Sequence, residues 1–184
     1  EETDRLSLLV NDMLDLSKLE SGTKKLEFTT FDISQRLTEI ANRYQGISEQ
    51  MGYHLHFTPD APRMVCCDAG AIERVICNLI NNAIKYTPEH SRIELFAAPE
   101  GKFVRICVTD DGPGIPEESR DKLFDMFYTL GKTRSDGRRG LGLGLALCRS
   151  IVAAHGGVID VQNVAPHGAC FRFTLPRTEV TLYE

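Results

Sequence analysis

A chain of 184 residues with 42% hydrophobic content is long enough to bury one good core, and its composition excludes disorder, a collagen-like repeat or a disulfide scaffold. The formal net charge of −5 argues against a nucleic-acid surface, because phosphate backbones are bound mainly through Lys and Arg. No CxxC pair occurs among the six cysteines: Cys66 and Cys67 adjoin, while Cys77, Cys107, Cys148 and Cys170 stand singly in apolar runs, which predicts reduced, buried thiols. No segment is apolar enough to span a bilayer and no signal peptide is visible, so the chain is expected to be soluble. It opens in mid-helix with neither a capping residue nor a start methionine, as expected of a piece of something longer.

In chain order, Leu6, Leu9, Met13 and Leu16 recur at spacings of three and four, a bundle stripe. The break at Ser21-Gly22-Thr23 favours a partner helix for that stripe over packing on the chain's own domain, since a short amphipathic helix has little stability alone. Leu26 to Phe31 reads as a strand, and Asp32 caps a helix to about Gln50. Strands follow at Tyr53 to Thr58 and Arg63 to Cys67; Asp68 then caps an apolar helix that ends at Tyr86, before Pro88. Arg92 to Ala98 and Lys102 to Asp110 form a hairpin around Pro99-Glu100-Gly101. Pro116 to Phe127 is expected to be helical, and Tyr128 to Arg139 a mobile, basic loop. Leu141 to His155 is a helix closed by Gly156-Gly157, and strands Val158 to Asn163 and Ala169 to Leu175 complete the chain. Strands interleaved with helices predict an α/β two-layer sandwich, a mixed and mostly antiparallel sheet with helices on one face, preceded by a bundle helix.

Three constellations carry chemistry. On the helix after Asp68, apolar Ile72, Val75, Ile76, Leu79 and Ala83 share the cylinder with Asn78, Asn82 and Lys85, which form one polar stripe. A partly buried amide wants a partner; side-chain carbonyls suit a hard cation such as Mg²⁺, and Lys85 one turn on could meet phosphate. Solvent-facing helix residues are the alternative. Next, an apolar strand runs into Asp110-Asp111-Gly112-Pro113-Gly114-Ile115, where the acid could meet the amino group of a flat heterocycle, although Asp-Gly turns are frequent in their own right. Finally Gly140-Leu141-Gly142-Leu143-Gly144-Leu145 feeds a helix, whose free N–H groups would cradle phosphate; no Walker GxxxxGK[ST] occurs, and a loop rather than a strand precedes the glycines.

Order, spacing and element type agree, and together they resemble the catalytic ATP-binding half of bacterial sensor histidine kinases, of the Bergerat fold shared with gyrase, Hsp90 and MutL. NLINNAIKYTP is similar to that family's N-box, VTDDGPGIP to its first glycine box, LFDMFY to its F-box and GLGLGLALCRSIVAAHGG to its second glycine box. Residues 1–22 resemble the end of the second dimerisation helix and its linker, with 23–184 as the catalytic domain. The resemblance implies that Asn82 coordinates Mg²⁺ with support from Asn78, that Lys85 meets phosphate and that Tyr86 lies against the nucleotide. It implies further that Asp110 accepts from the adenine amino group beside Gly112, Gly114 and Ile115, and that Phe124 and Phe127 anchor a lid by burying their rings. Arg138 or Arg139 would reach the terminal phosphate, with Gly140, Leu141, Gly142, Leu143, Gly144 and Leu145 around the phosphates.

ATP-hydrolysing relatives place a glutamate four residues before the metal-binding asparagine, as a general base; here Asn78 stands there, and an amide cannot take the proton. Transfer to a protein histidine is therefore favoured over hydrolysis. None of His54, His56, His90, His155 or His167 has the sequence context of an acceptor, so the chain is expected to bind ATP without phosphorylating itself. A degenerate scaffold that docks a response regulator and a true ATPase are the rival readings. The implied partners are ATP, the dimerisation domain of the same or a sister protomer and a response regulator receiver domain, within a homodimeric parent whose cytoplasmic part this is, anchored in the inner membrane.

Overall fold

The computed structural model describes residues 2–130 and 142–178. Helix α1 (Glu2–Glu20) is followed by β1 (Thr29–Asp32), α2 (Ile33–Gln50), β2 (His54–Phe57), β3 (Met64–Cys67), α3 (Ala69–Tyr86), β4 (Arg92–Glu100) and β5 (Phe103–Asp110). Then come the single turn α4 (Glu117–Arg120), α5 (Gly144–Ala154), β6 (Ile159–Asn163) and β7 (Ala169–Pro176). The main sheet has five strands in the order β2-β4-β5-β7-β6, parallel between β2 and β4 and antiparallel elsewhere, so the expected mixed, mostly antiparallel sheet is what forms. Alternation along the central strands decides which face is covered. Val104, Ile106 and Val108 on β5 and Ala169, Phe171, Phe173 and Leu175 on β7 point into the core, against α3 and α5.

Both capping aspartates do what their positions predict. Asp32 Oδ1 accepts the Ser34 N–H at 2.9 Å and also the Arg63 N–H at 2.8 Å, which ties the start of α2 to the edge of β3. Asp68 Oδ1 accepts the Ala71 N–H at 3.0 Å while its Oδ2 accepts the Glu27 N–H at 2.9 Å. His155 locks the two principal helices: its Nε2 accepts the Asp68 N–H at 3.0 Å, and its Nδ1 meets the Ile151 carbonyl at 2.7 Å.

Several expectations are corrected. β1 begins at Thr29, because the Glu27 N–H is held by Asp68 and the Phe28 ring leans on His155 with centroids 5.1 Å apart; it pairs with β3 in a separate two-stranded sheet. The β4–β5 hairpin turns at Gly101-Lys102, with Gly101 at φ 59°, and Pro99 and Glu100 stay in register with Val104 and Phe103. The stripe on α1 divides. Leu16 is buried in the core with Leu9 and Leu19 packed on it, Arg74 of α3 pairs with Asp12 and Asp15, and Leu6 and Met13 stay exposed. The chain's own α5 and α3 thus take the inward half, which the sequence pattern alone assigned to a partner. All six cysteines are free, and Cys66, Cys77 and Cys170 are only half-buried.

Burial pushes the Asp68 carboxyl up, but N–H groups of Ala71 and Glu27 outweigh it and hold its pKa below the ordinary value. A lowered folded pKa stabilises the fold above the unfolded carboxylate range and ceases to do so as pH falls through the folded value. Asp68→Ala is expected to cost about 1–2 kcal/mol in urea unfolding at pH 7. Asp68→Asn, which keeps the cap, should show a shallower loss of stability below pH 4 than the parent.

Candidate functional site

The site is built where β5 ends, α3 ends and α5 begins. Asp110, the last residue of a buried strand, is 8% exposed. Its Oδ1 accepts the Gly112 N–H at 2.9 Å and the Ala169 N–H at 3.3 Å, whereas Oδ2 takes no hydrogen bond from any described residue. Burial raises the pKa of this carboxyl; the two amides and neighbouring Asp111 act in opposite directions on it. An acceptor fixed on one oxygen and open on the other suits a ligand that brings an N–H.

The glycines of this turn are required by what packs behind them. A Cβ on Gly112 would lie 2.7 Å from Thr87 Cγ2, at the end of α3, and one on Gly114, at φ 78°, would lie 2.9 Å from Asn163 Oδ1. Asn163 clamps the turn with both ends of its amide: Oδ1 accepts the Ile115 N–H at 2.8 Å and Nδ2 donates to the Ile115 carbonyl at 2.9 Å. His167 Nδ1 adds a contact of 2.6 Å to the Asp111 carbonyl. Thr87, Asn163, His167 and Ala169 were not anticipated, because each acts on residues distant in the chain and none carries a local motif.

On α3 the polar stripe divides its work. Asn78 is half-buried and its Nδ2 donates to Cys148 Sγ of α5 at 3.6 Å; the same nitrogen lies 4.0 Å from where a Cβ on Gly144 would stand. Asn78 therefore faces the first turn of α5. Asn82, half-buried, makes no side-chain hydrogen bond among the described residues. Its amide oxygen is a hard donor of the kind that fits Mg²⁺, and no described residue donates to it. Lys85 stands over the ring of exposed Tyr86, Nζ to centroid 5.1 Å. α5 starts at Gly144, with no side chain among the described residues capping its N-terminus, so its first N–H groups are offered next to Asn78. A cavity of about 370 Å³ lined by Tyr86, Pro88, Asp111, Gly112, Pro113 and His167 adjoins the turn but does not include Asp110.

The segment before α5 differs from expectation. Only Glu117–Arg120 is helical within the predicted Pro116 to Phe127 helix, and Phe127 does not bury its ring. Its N–H is held by the Gly142 carbonyl at 2.9 Å and its backbone turns to φ 64°, which directs the ring to solvent at 56% exposure. Phe124 does anchor the segment, edge-on to Phe171 with centroids 6.3 Å apart, and Tyr128 Oη bonds Ser119 Oγ at 3.0 Å. Gly142 closes the other end at φ 70°, where a Cβ would lie 2.7 Å from the Phe127 backbone. Arg138, Arg139, Gly140 and Leu141 lie outside the described residues. Leu143 is buried and Leu145 packs partly against the core, so neither offers its side chain to a ligand; their backbones remain at the N-terminus of α5.

Residues 67–179, which contain all three of these pieces, match the family described as histidine kinase-, DNA gyrase B- and HSP90-like ATPase. The chain belongs to that family. Within it, the catalytic domain of histidine kinase ThkA, nucleotide-free, matches at 33% identity and a TM-score of 0.73, over 83% of this chain and 97% of that domain. Full-length ShkA in complex with AMPPNP matches at 30% identity and a TM-score of 0.83, over 99% of this chain and 38% of ShkA. ThkA has also been solved with response regulator TrrA; that ThkA chain is 29% identical with a TM-score of 0.72, over 96% of this chain and 49% of its own. Sensor protein KdpD of Clostridium acetobutylicum is 36% identical over 177 residues, 96% of this chain. The chain spans 20–30% of the length of curated relatives such as KdpD. The histidine kinase catalytic domain is thus the branch of the family to which the Asp110 turn, the α3 stripe and the α5 N-terminus belong.

Gly114→Ala places a side chain at positive φ against Asn163. The substitution is expected to destabilise this family domain by about 1–3 kcal/mol, a fall of roughly 2–12 °C in Tm. Calorimetry checks this, and an unchanged Tm would show that the Asn163 clamp relaxes at no cost.

Proposed function

We propose that the chain is the ATP–Mg²⁺-binding catalytic domain of a two-component sensor histidine kinase, which presents the γ-phosphoryl group to a histidine outside this sequence. The observation that carries the reading is Asp110: a buried carboxyl whose Oδ1 is occupied by two backbone amides and whose Oδ2 is left for an exocyclic amine. Adenine offers that amine. ShkA, similar over nearly the whole chain, is a relative solved with an ATP analogue. Asn82, backed by Asn78, would hold Mg²⁺, which when bound neutralises charge on the phosphate oxygens. The N-terminal amides of α5 with Gly142 and Gly144 would cradle the phosphates, joined by Lys85 and by Arg138 or Arg139, while Tyr86 and Ile115 border the nucleotide.

In the transfer itself an imidazole nitrogen of the acceptor attacks the γ-phosphorus, the bond to the bridging oxygen breaks, and ADP leaves. Asn78 cannot deprotonate water, and its Nδ2 donates to Cys148, so nothing at this position promotes hydrolysis. The exposed outer residues of α1, Leu6 and Met13 with Leu8, Val10 and Leu14, suit a dimerisation helix of a homodimeric parent. The ThkA–TrrA complex supports a response regulator as the phosphoryl recipient. No helix among the described residues is long and apolar enough to cross a membrane, in keeping with the cytoplasmic part of an inner-membrane sensor.

Titration of a fluorescent ATP analogue with and without Mg²⁺ tests the metal assignment. Asn82→Ala is expected to abolish the Mg²⁺-dependent part of binding, a loss of tenfold or more, and no binding by the parent chain would overturn the proposal. Asp110→Asn separates recognition from stability. Because burial raises the folded pKa of Asp110, its ionisation costs stability as pH rises through that value, and the cost stays in full above it. The amide keeps the Oδ1 acceptor and removes the charge. The variant should therefore be at least as stable at pH 7 in urea unfolding, yet bind the analogue at least tenfold more weakly, since its N–H₂ would face the adenine amine.

A further inference from the structure

The face of the main sheet turned away from the helices carries two cysteines side by side. Phe96, Cys107, Arg172 and Asp160 form one cross-strand row, and Glu94, Thr109, Cys170 and Gln162 the next. Cys107 of β5 and Cys170 of β7 are thus diagonal neighbours, 63 positions apart in the chain by their numbering. Cys107 is 7% exposed beneath its row, whereas Cys170 is half-buried and within reach of small solutes. Cys107 stabilises the Cys170 thiolate, with Thr109 and Arg172 assisting against burial, so the Cys170 thiol is lowered; its partner is raised by Cys170 and by burial. Elsewhere burial pushes Cys67 and Cys148 up to about 12 and raises Cys77, which leaves those thiols inert. Arg172 is fixed in place by Asp160 at 2.5 and 2.9 Å.

We propose that Cys170 and Cys107 form a peroxide-reactive dithiol in which Cys170 is the attacking sulfur and Cys107 the resolving one. The Cys170 thiolate attacks a hydroperoxide: an S–O bond forms, the O–O bond breaks, and the alcohol or water leaves with a proton. Cys107 Sγ then displaces the hydroxyl of the sulfenic acid, which forms the disulfide and releases water. The two thiols lose two electrons and two protons in all, and the hydroperoxide accepts them. Peroxide is named because Cys107 is buried within its row and Cys170 beside it is half-buried, a setting that admits a small neutral oxidant more readily than a bulky disulfide.

The location gives the reaction a consequence that rests on the nucleotide reading. Cys107 lies three residues before Asp110, and Cys170 directly follows Ala169, whose N–H holds Asp110 Oδ1. Diagonal neighbours stand farther apart than the roughly 3.8 Å between Cβ atoms of a disulfide, so closure must shift β5 against β7. That shift disturbs the Asp110 acceptor.

The test treats the chain with hydrogen peroxide and maps non-reduced tryptic peptides. The expected product links peptide 106–120 to peptide 150–172 and disappears on addition of dithiothreitol. In Cys107→Ser, Cys170 should accumulate as a dimedone-trapped sulfenic acid. An unmodified Cys170 while other thiols oxidise, or Cys170 joined to a different cysteine or to a second copy, would overturn the proposal. In parallel, the oxidised parent should bind the fluorescent ATP analogue at least fivefold more weakly, recover with dithiothreitol, and lose this response in Cys170→Ser. A disulfide that forms without changing affinity would refute the link to Asp110. A reduced parent that binds no analogue would instead refute the nucleotide reading and leave the peptide map standing.

Discussion

A carboxylate at the end of a buried strand is costly unless backbone amides hold it, and the architecture of this chain converges on supplying those amides to Asp110. One comes from Gly112, in the turn that Asp110 itself begins; the other comes from Ala169, at the start of β7. The second cannot exist unless β7 inserts beside β5, which is the pairing that makes β7 central and β6 the edge. Sheet order and the proposed recognition of the base are therefore one constraint. The turn is then pinned from behind by Thr87 at the end of α3 and by Asn163 at the end of β6, so three elements meet on one loop.

α3 carries the remaining half of the site by having two faces. Ile72, Val75, Ile76, Leu79 and Ile80 are buried, while Asn78 and Asn82 border that face half-buried. α5 is positioned against it by His155, which bridges the N-cap of α3 and the last turn of α5, and by the Asn78–Cys148 contact. The open N-terminus of α5 is thereby fixed one helix away from the asparagine stripe, the placing that a phosphate needs if its metal sits on α3. α1 adds to this block through Leu16 and through the pairs of Arg74 with Asp12 and Asp15, so its inward half stabilises the domain on which it rests. The exposed half keeps its apolar residues available.

Local chemistry made much of this legible in advance. Asp32 and Asp68 announce helix starts because a capping carboxylate acts within three residues, Pro88 announces an end, and alternation along Phe103 to Asp110 announces a strand. The polar stripe of α3 and the turn after Asp110 were readable for the same reason. What escaped was set by partners far along the chain. Asn163 reaches Ile115 across 48 positions, Phe28 is drawn to His155, and the Phe127 ring is turned outward by a bond to Gly142. Nothing within a few residues of Phe127 distinguishes a buried aromatic from one whose backbone is held at positive φ. The helical stripe of α1 likewise records that a face is apolar but not which neighbour covers it.

The central claim is that Asp110 reads the edge of the base. Competition between ATP and GTP for the bound fluorescent analogue tests it most directly, because guanine presents a carbonyl oxygen where adenine presents an amine, and that oxygen would meet the Asp110 carboxylate acceptor to acceptor. The account predicts that ATP competes at least a hundredfold more strongly than GTP with Mg²⁺ present. Equal competition by the two nucleotides would contradict it.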